Sequence, residues 1–125
     1  MNIKELTKAE EQIMQILWQL GEGIIKDMLE QMPEPKPAYN TVSTVVRVLE
    51  GKGFIDHKAY GNSHVYFPLV SEAAYRKFTF DKMMSGYFSN SYQSLVSFIA
   101  NEKKLGLNEL DELTKLLEDL KNKKK

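Results

Sequence analysis

The sequence predicts a mainly α-helical protein with one small β-hairpin: a winged helix-turn-helix domain over residues 1–70, then a helical module over 71–125. Three observations carry this. Three short apolar-striped segments come first, and each ends at a glycine or a proline. Two strand-like runs follow at once, on either side of Gly61-Asn62. From Ser71 onward only helical spacing recurs.

The first helix starts near Thr7, because Thr7-Lys8-Ala9-Glu10 has the spacing of a reciprocal capping box. Ile13, Met14, Ile16, Leu17 and Leu20 supply its apolar stripe, and Gly21 and Gly23 close it. Trp18 lies beside that stripe as a filler of core or interface. A second helix is expected from about Ile24 to Met32, with Ile25, Met28, Leu29 and Met32 at helical spacing. Pro33, Pro35 and Pro37 then stiffen an extended linker.

The third helix opens near Ala38 or Tyr39 without a good cap. At 100° per residue, Val42, Val45, Val46 and Leu49 share one side. Asn40, Thr41, Ser43, Thr44 and Arg47 share the other. Short hydrogen-bonding groups and one arginine suit a helix that reads a DNA major groove. An ordinary amphipathic helix with a wet polar face is the plainer alternative. After Gly51 and Gly53, residues 54–58 and 64–69 flank the turn Tyr60-Gly61-Asn62-Ser63 and form the hairpin.

Beyond Ser71, Ala74, Tyr75, Phe78 and Met83 offer a broad apolar face, and Gly86 is expected to interrupt it. Tyr92, Leu95, Val96 and Ile99 resume the pattern. A last helix is expected after Gly106, with Asn108 as its cap. Leu110, Leu113, Leu116, Leu117 and Leu120 make its stripe, and its lysine-rich end suits a helix C-terminus. Three such short helices make a thin core alone, so Leu95, Val96, Ile99 and these leucines are expected to pack against a second copy of the chain.

Charge narrows the function. Net charge is zero, and residues 1–70 hold seven Lys/Arg against nine Asp/Glu. Any affinity for DNA must therefore come from a few placed cations, from helix N-termini and from dimerisation. Arg47 and Lys58 are the leading contacts, with Asn62 at the tip of the wing. There is no cysteine, so thiolate metal sites and disulfides are excluded. No apolar run has the length of a membrane span, and the polar start is no signal peptide, so the cytoplasm is expected. No nucleotide loop, metalloprotease motif or nucleophile–base pattern points to an enzyme, and no cofactor is expected. His57, His64 and Asp56 on the hairpin could offer three metal ligands. A wing histidine touching phosphate or water is the preferred reading, and no metal is assigned.

The strings LTKAEEQIMQILW, NTVSTVVRVLEGKGFIDHK and SLVSFIANEKKLGLNELDELTKLL resemble the penicillinase-repressor family, which includes BlaI- and MecI-type repressors and copper-responsive relatives. The likeness spans essentially the whole chain. It implies a winged helix joined to a helical dimerisation module, bound as a homodimer to a palindromic double-stranded DNA operator. It also implies relief by cleavage of the repressor, triggered by a membrane sensor metalloprotease. The family's base- and phosphate-contacting positions fall on Asn40, Thr41, Ser43 and Thr44. The threonines match, whereas Asn40 replaces a lysine and Ser43 an arginine, which puts the operator sequence in doubt. The family's scissile bond maps to Ser97–Phe98, where the phenylalanine is kept and the preceding asparagine is not. A winged helix that binds protein instead of DNA, and a repressor with a small-molecule pocket, are the other readings.

Overall fold

In the computed structural model, which describes residues 3–102 and 106–123, Thr7 opens the first helix as its spacing predicts. Its hydroxyl accepts from the Glu10 amide at 3.2 Å, and Glu10 accepts from the Thr7 amide at 2.9 Å. This helix is α1 (Lys8–Leu20). Gly21, at φ 85°, ends it with a bond from its amide to the Leu17 carbonyl at 2.7 Å. A positive φ is a conformation that glycine tolerates best.

The second helix, α2 (Ile25–Glu30), is shorter than the expected span to Met32. Asp27 closes its start by accepting from the Ile24 amide at 3.0 Å. The Lys36 ammonium closes its end by donating to the Leu29 and Glu30 carbonyls at 3.0 and 3.2 Å. A side chain from the proline-rich linker thus takes over the last carbonyls, and the helix need not run on.

The third helix, α3 (Tyr39–Gly51), starts after Ala38 with no side-chain cap. It buries Val42, Val46 and Leu49, while Val45 is half-buried and Val48 is exposed. Burial of each of these large apolar side chains contributes about 1.5–3 kcal/mol, and it compensates for the missing cap. Gly53, at φ 82°, ends the helix. The Phe54 amide reaches the Leu49 carbonyl at 3.0 Å and the Gly53 amide reaches that of Glu50 at 3.1 Å, which is a Schellman closure. Phe54, the next residue, is fully buried, so the turn drops the chain directly into the core.

The hairpin pairs β1 (Ile55–Tyr60) with β2 (Ser63–Pro68) in antiparallel register, His57 facing Tyr66 and Ala59 facing His64. Gly61 takes φ 60° at the tip. One feature lies outside the sequence pattern. Gly23 and Tyr66 exchange both backbone bonds, at 2.9 and 2.8 Å, so the α1–α2 connection adds a one-residue bridge to β2 of the wing.

Residues 1–79 form one compact unit and residues 80–125 another. The core of the first unit includes Ile13, Met14, Leu17, Met28, Val46, Leu49 and Phe54. The fourth helix, α4 (Glu72–Tyr87), contributes its first turns to that unit. The Tyr75 hydroxyl accepts from the Leu6 amide at 3.1 Å, and its ring meets Trp18 and Phe54. Trp18 is half-buried and donates to the Val70 carbonyl at 2.8 Å. Gly86 does not interrupt α4. The helix continues to Tyr87 and ends where Ser89 and Asn90 take φ 50° and 60°.

In the second unit, Ser91 caps α5 (Tyr92–Glu102) by accepting from the Ser94 amide at 3.1 Å. The last helix, α6 (Leu107–Lys123), begins one residue before Asn108, which therefore sits inside the first turn and is not the cap. Residues 124–125 of the lysine-rich end lie outside the described residues. Among the described residues no helix is long and apolar enough to cross a membrane.

Candidate nucleic-acid interface

A cleft of about 400 Å³ opens where three parts of the first unit converge. The start of α2 supplies Ile24 and Lys26. The first turns of α3 supply Tyr39, Asn40, Ser43 and Arg47. The wing supplies Asn62, Ser63, His64 and Tyr66. The grouping follows from the local folds. The helix period sets residues 39, 40, 43 and 47 on one stripe, and the strand period sets His64 and Tyr66 on one side of the hairpin.

Four of the sequence-predicted residues, Asn40, Ser43, Arg47 and Asn62, thus meet in one place. The others stand apart. Thr41 and Thr44 are exposed on a neighbouring stripe of α3. The Thr44 hydroxyl donates to the Asn40 carbonyl at 2.9 Å. Its proton is therefore spent on the helix, and what it offers outward is its methyl group and spare lone pairs. Lys58 lies on the other face of the hairpin from His57 and Tyr66, with its ammonium 5.2 Å from the Phe67 ring centroid.

Lys26, Tyr39, Ser63 and His64 join the lining without having been singled out as contacts of this helix. Lys26 is an exposed cation in the first turn of α2. No sequence pattern marks it, because its place in the cleft depends on where α2 lies relative to α3. Burial raises the Tyr66 phenol above its ordinary range; the Glu50 carboxylate and Tyr39 add to this and Arg47 opposes it. Tyr66 therefore keeps its proton at neutral pH. The cleft presents two cations together with hydroxyl and amide groups, a lining that can hydrogen-bond to phosphates and base edges.

A second charged pair lies at the C-terminal end of α3. Glu10 is buried, and the Lys52 ammonium lies 2.7 Å from its carboxylate. Burial alone would raise the Glu10 carboxyl. Lys52 and the Thr7 backbone and hydroxyl outweigh it and hold the group below its ordinary value. This pair fastens the end of α3 to the start of α1.

The dimer and cleavage candidates lie in the second unit. In the single chain α5 buries none of its residues. Leu95, Val96, Ile99, Leu110 and Leu113 are half-buried, and Leu116, Leu117 and Leu120 are exposed. Ser97 and Phe98 are exposed within α5, and the Phe98 ring packs edge-on against Phe88 with centroids 5.6 Å apart.

Comparison with known proteins places this architecture. The chain is 25% identical to the penicillinase repressor of Bacillus licheniformis over 125 residues, 98% of this chain and 97% of that protein. It is 27% identical to the methicillin resistance regulatory protein MecI of Staphylococcus aureus over 114 residues, 90% of this chain and 93% of that one. The solution structure of the DNA-binding domain of the repressor BlaI superposes with a TM-score of 0.52 at 23% identity, over 59% of this chain and 92% of that domain. The monomeric form of Bacillus licheniformis BlaI in complex with the blaP half-operator matches over the same shares, with a TM-score of 0.50. These structures show the winged-helix fold. The profile of the penicillinase repressor family matches residues 6–119, and the chain belongs to that family of transcriptional repressors, which are not enzymes.

Proposed function

We propose that the chain is a homodimeric repressor that lays α3 into the major groove of a palindromic operator and sets the 60–63 turn of its wing against the flanking backbone. The observation that carries this reading is the cleft itself, where Lys26, Asn40, Ser43, Arg47 and Asn62 converge from three elements. Membership of a repressor family and the operator complex of a relative support it. Arg47 and Lys26 engage phosphates or guanine, Asn40 and Ser43 face base edges, and Thr41 and Thr44 fix register. Lys58 reaches phosphate from the outer face of the wing. The second units pair through Leu95, Val96, Ile99 and the α6 leucines. Domain roles follow: residues 1–70 read DNA and residues 71–125 dimerise, in the cytoplasm.

Selection of bound sequences from a random duplex pool tests this. The expected result is a two-fold symmetric motif bound with steep salt dependence. A pool without enrichment would overturn it and favour a protein-binding winged helix, the reading that the excess of acids over bases in residues 1–70 supports.

Relief of repression is assigned to cleavage at Ser97–Phe98, downstream of a membrane sensor protease that responds to cell-wall antibiotic. The bond lies inside α5, so the helix must open locally before a protease can engage extended backbone. Induction with the full-length protein intact would remove cleavage from the mechanism.

A further inference from the structure

The joint between α3 and the wing carries chemistry that DNA reading does not use. Glu50, from the last turn of α3, and Asp56 and His57, from β1, bring two carboxylates and one imidazole together, with their ligand atoms all within 4.8 Å of one another. By sequence alone His57, His64 and Asp56 could offer three ligands, and contact of a wing histidine with phosphate or water is the preferred reading. The fold makes a different set, because the Nδ1 of His57 turns to the Glu50 carboxylate, and His64 covers the face of the ring instead. The two imidazoles stack with centroids 4.4 Å apart and planes 15° apart, and Tyr66 stands 5.5 Å from the His57 centroid. Packing on its face fixes the plane of the ring and leaves its edge toward the carboxylates. Asp56 is held beside it by accepting from the His57 amide at 2.8 Å.

Charge gives a second, separate observation. Among the described residues neither Glu50 nor Asp56 has a lysine or arginine within ion-pair distance. Lys52, the nearest basic residue along the chain to Glu50, is engaged by Glu10. Two carboxylates therefore converge on one imidazole with no fixed cation between them.

The geometry points to a divalent transition-metal site formed by Glu50, Asp56 and His57, with water in the remaining positions. One imidazole with two carboxylates suits Zn²⁺, Mn²⁺ or Fe²⁺. Mg²⁺ is disfavoured because it prefers oxygen ligands and keeps most of its water. The side chains of His57 and Glu50 are 34% and 27% exposed, so an ion has access from solvent. Because the ligands come from the reading helix and from the first strand of the wing, the ion would tie one to the other and set how rigidly the two are presented together.

The test needs no DNA, so its outcome is independent of the repressor reading. The full chain, stripped with a chelator, is titrated calorimetrically with ZnCl₂, and MgCl₂ serves as comparator. One zinc per chain is expected. Affinity should fall at least tenfold in Glu50→Gln and in His57→Ala, and by less than either in His64→Ala. Glu50→Gln and Asp56→Asn preserve shape, so they carry the test if His57→Ala fails to fold by circular dichroism. Zinc heats no larger than those of magnesium would overturn the site. Unchanged affinity in Glu50→Gln, or a loss in His64→Ala as large as in His57→Ala, would do the same.

Discussion

Arg47 is the one guanidinium of α3 and lies on its polar face. It stands one turn beyond Ser43, at a position from which it lines the cleft with Asn40 and Asn62. On the proposed reading, Asn40 and Ser43 stand where the family resemblance implies cations, so Arg47 carries a larger share of the contact. Arg47→Ala should weaken operator binding by about 1–3 kcal/mol, roughly five- to 150-fold, if it meets guanine. If it meets phosphate, the loss should be similar for every sequence and the salt slope should shrink by about one. Electrophoretic shift assays on operator and scrambled duplexes at two salt concentrations separate these outcomes, and unchanged affinity on both would remove Arg47 from the interface. The polar stripe was legible in the sequence, since helix period alone assigns residues to faces, and only the family resemblance marks Asn40 and Ser43 as replacing cations. The contribution of Lys26 was not, because it depends on where α2 lies relative to α3.

At the scale of elements, the firmness of α3 depends on its two ends, and they are held differently. Its start has no cap, whereas its end has a Schellman closure and the Lys52–Glu10 pair. Lys52→Met should destabilise the first unit by about 1–3 kcal/mol at neutral pH, because it leaves a buried carboxylate without its partner. The sign of the pH dependence follows from the lowered Glu10 carboxyl. A depressed folded-state pKa contributes stability above the unfolded value, and that contribution is lost as pH falls through the folded value. The difference between wild type and Lys52→Met should therefore be full at neutral pH and narrow once pH drops below the ordinary glutamate range. Thermal melts at pH 7 and pH 3 check this, and a gap that is as wide at pH 3 would mean the lysine acts through packing alone. Capping at Thr7 was legible because it is local, spanning three residues. The Lys36 clamp on α2 was not, and the helix accordingly stops earlier than its apolar spacing suggests.

At the scale of the whole molecule, the second unit leaves much apolar surface uncovered in a single chain. Leu116 and Leu120 are about half exposed, at 56% and 51%. A second copy is the proposed cover. Leu113→Asp should give a monomer by sedimentation velocity and weaken operator binding by about a hundredfold, since a linked pair of weak half-site contacts owes its affinity to both being held together. A persisting dimer would place the interface elsewhere. With zero net charge, the protein has no general field to substitute for that linkage.

The sequence by itself determined the order of elements, the capped start of α1, the glycine-closed end of α3, the turn of the wing and the polar stripe at residues 40–47. All of these arise from periodicity and from contacts a few residues apart. Only the tertiary structure decided the bridge between Gly23 and Tyr66, the docking of Tyr75 on the Leu6 amide, the Lys52–Glu10 pair and the turn of His57 toward Glu50 in place of His64. Most of these join residues far apart in the chain, where the sequence carries no spacing rule. The His57 contact is closer in sequence, but the Schellman turn sets its direction by reversing the chain between α3 and β1. Two side chains on different elements meet only once the core has fixed the distance between those elements.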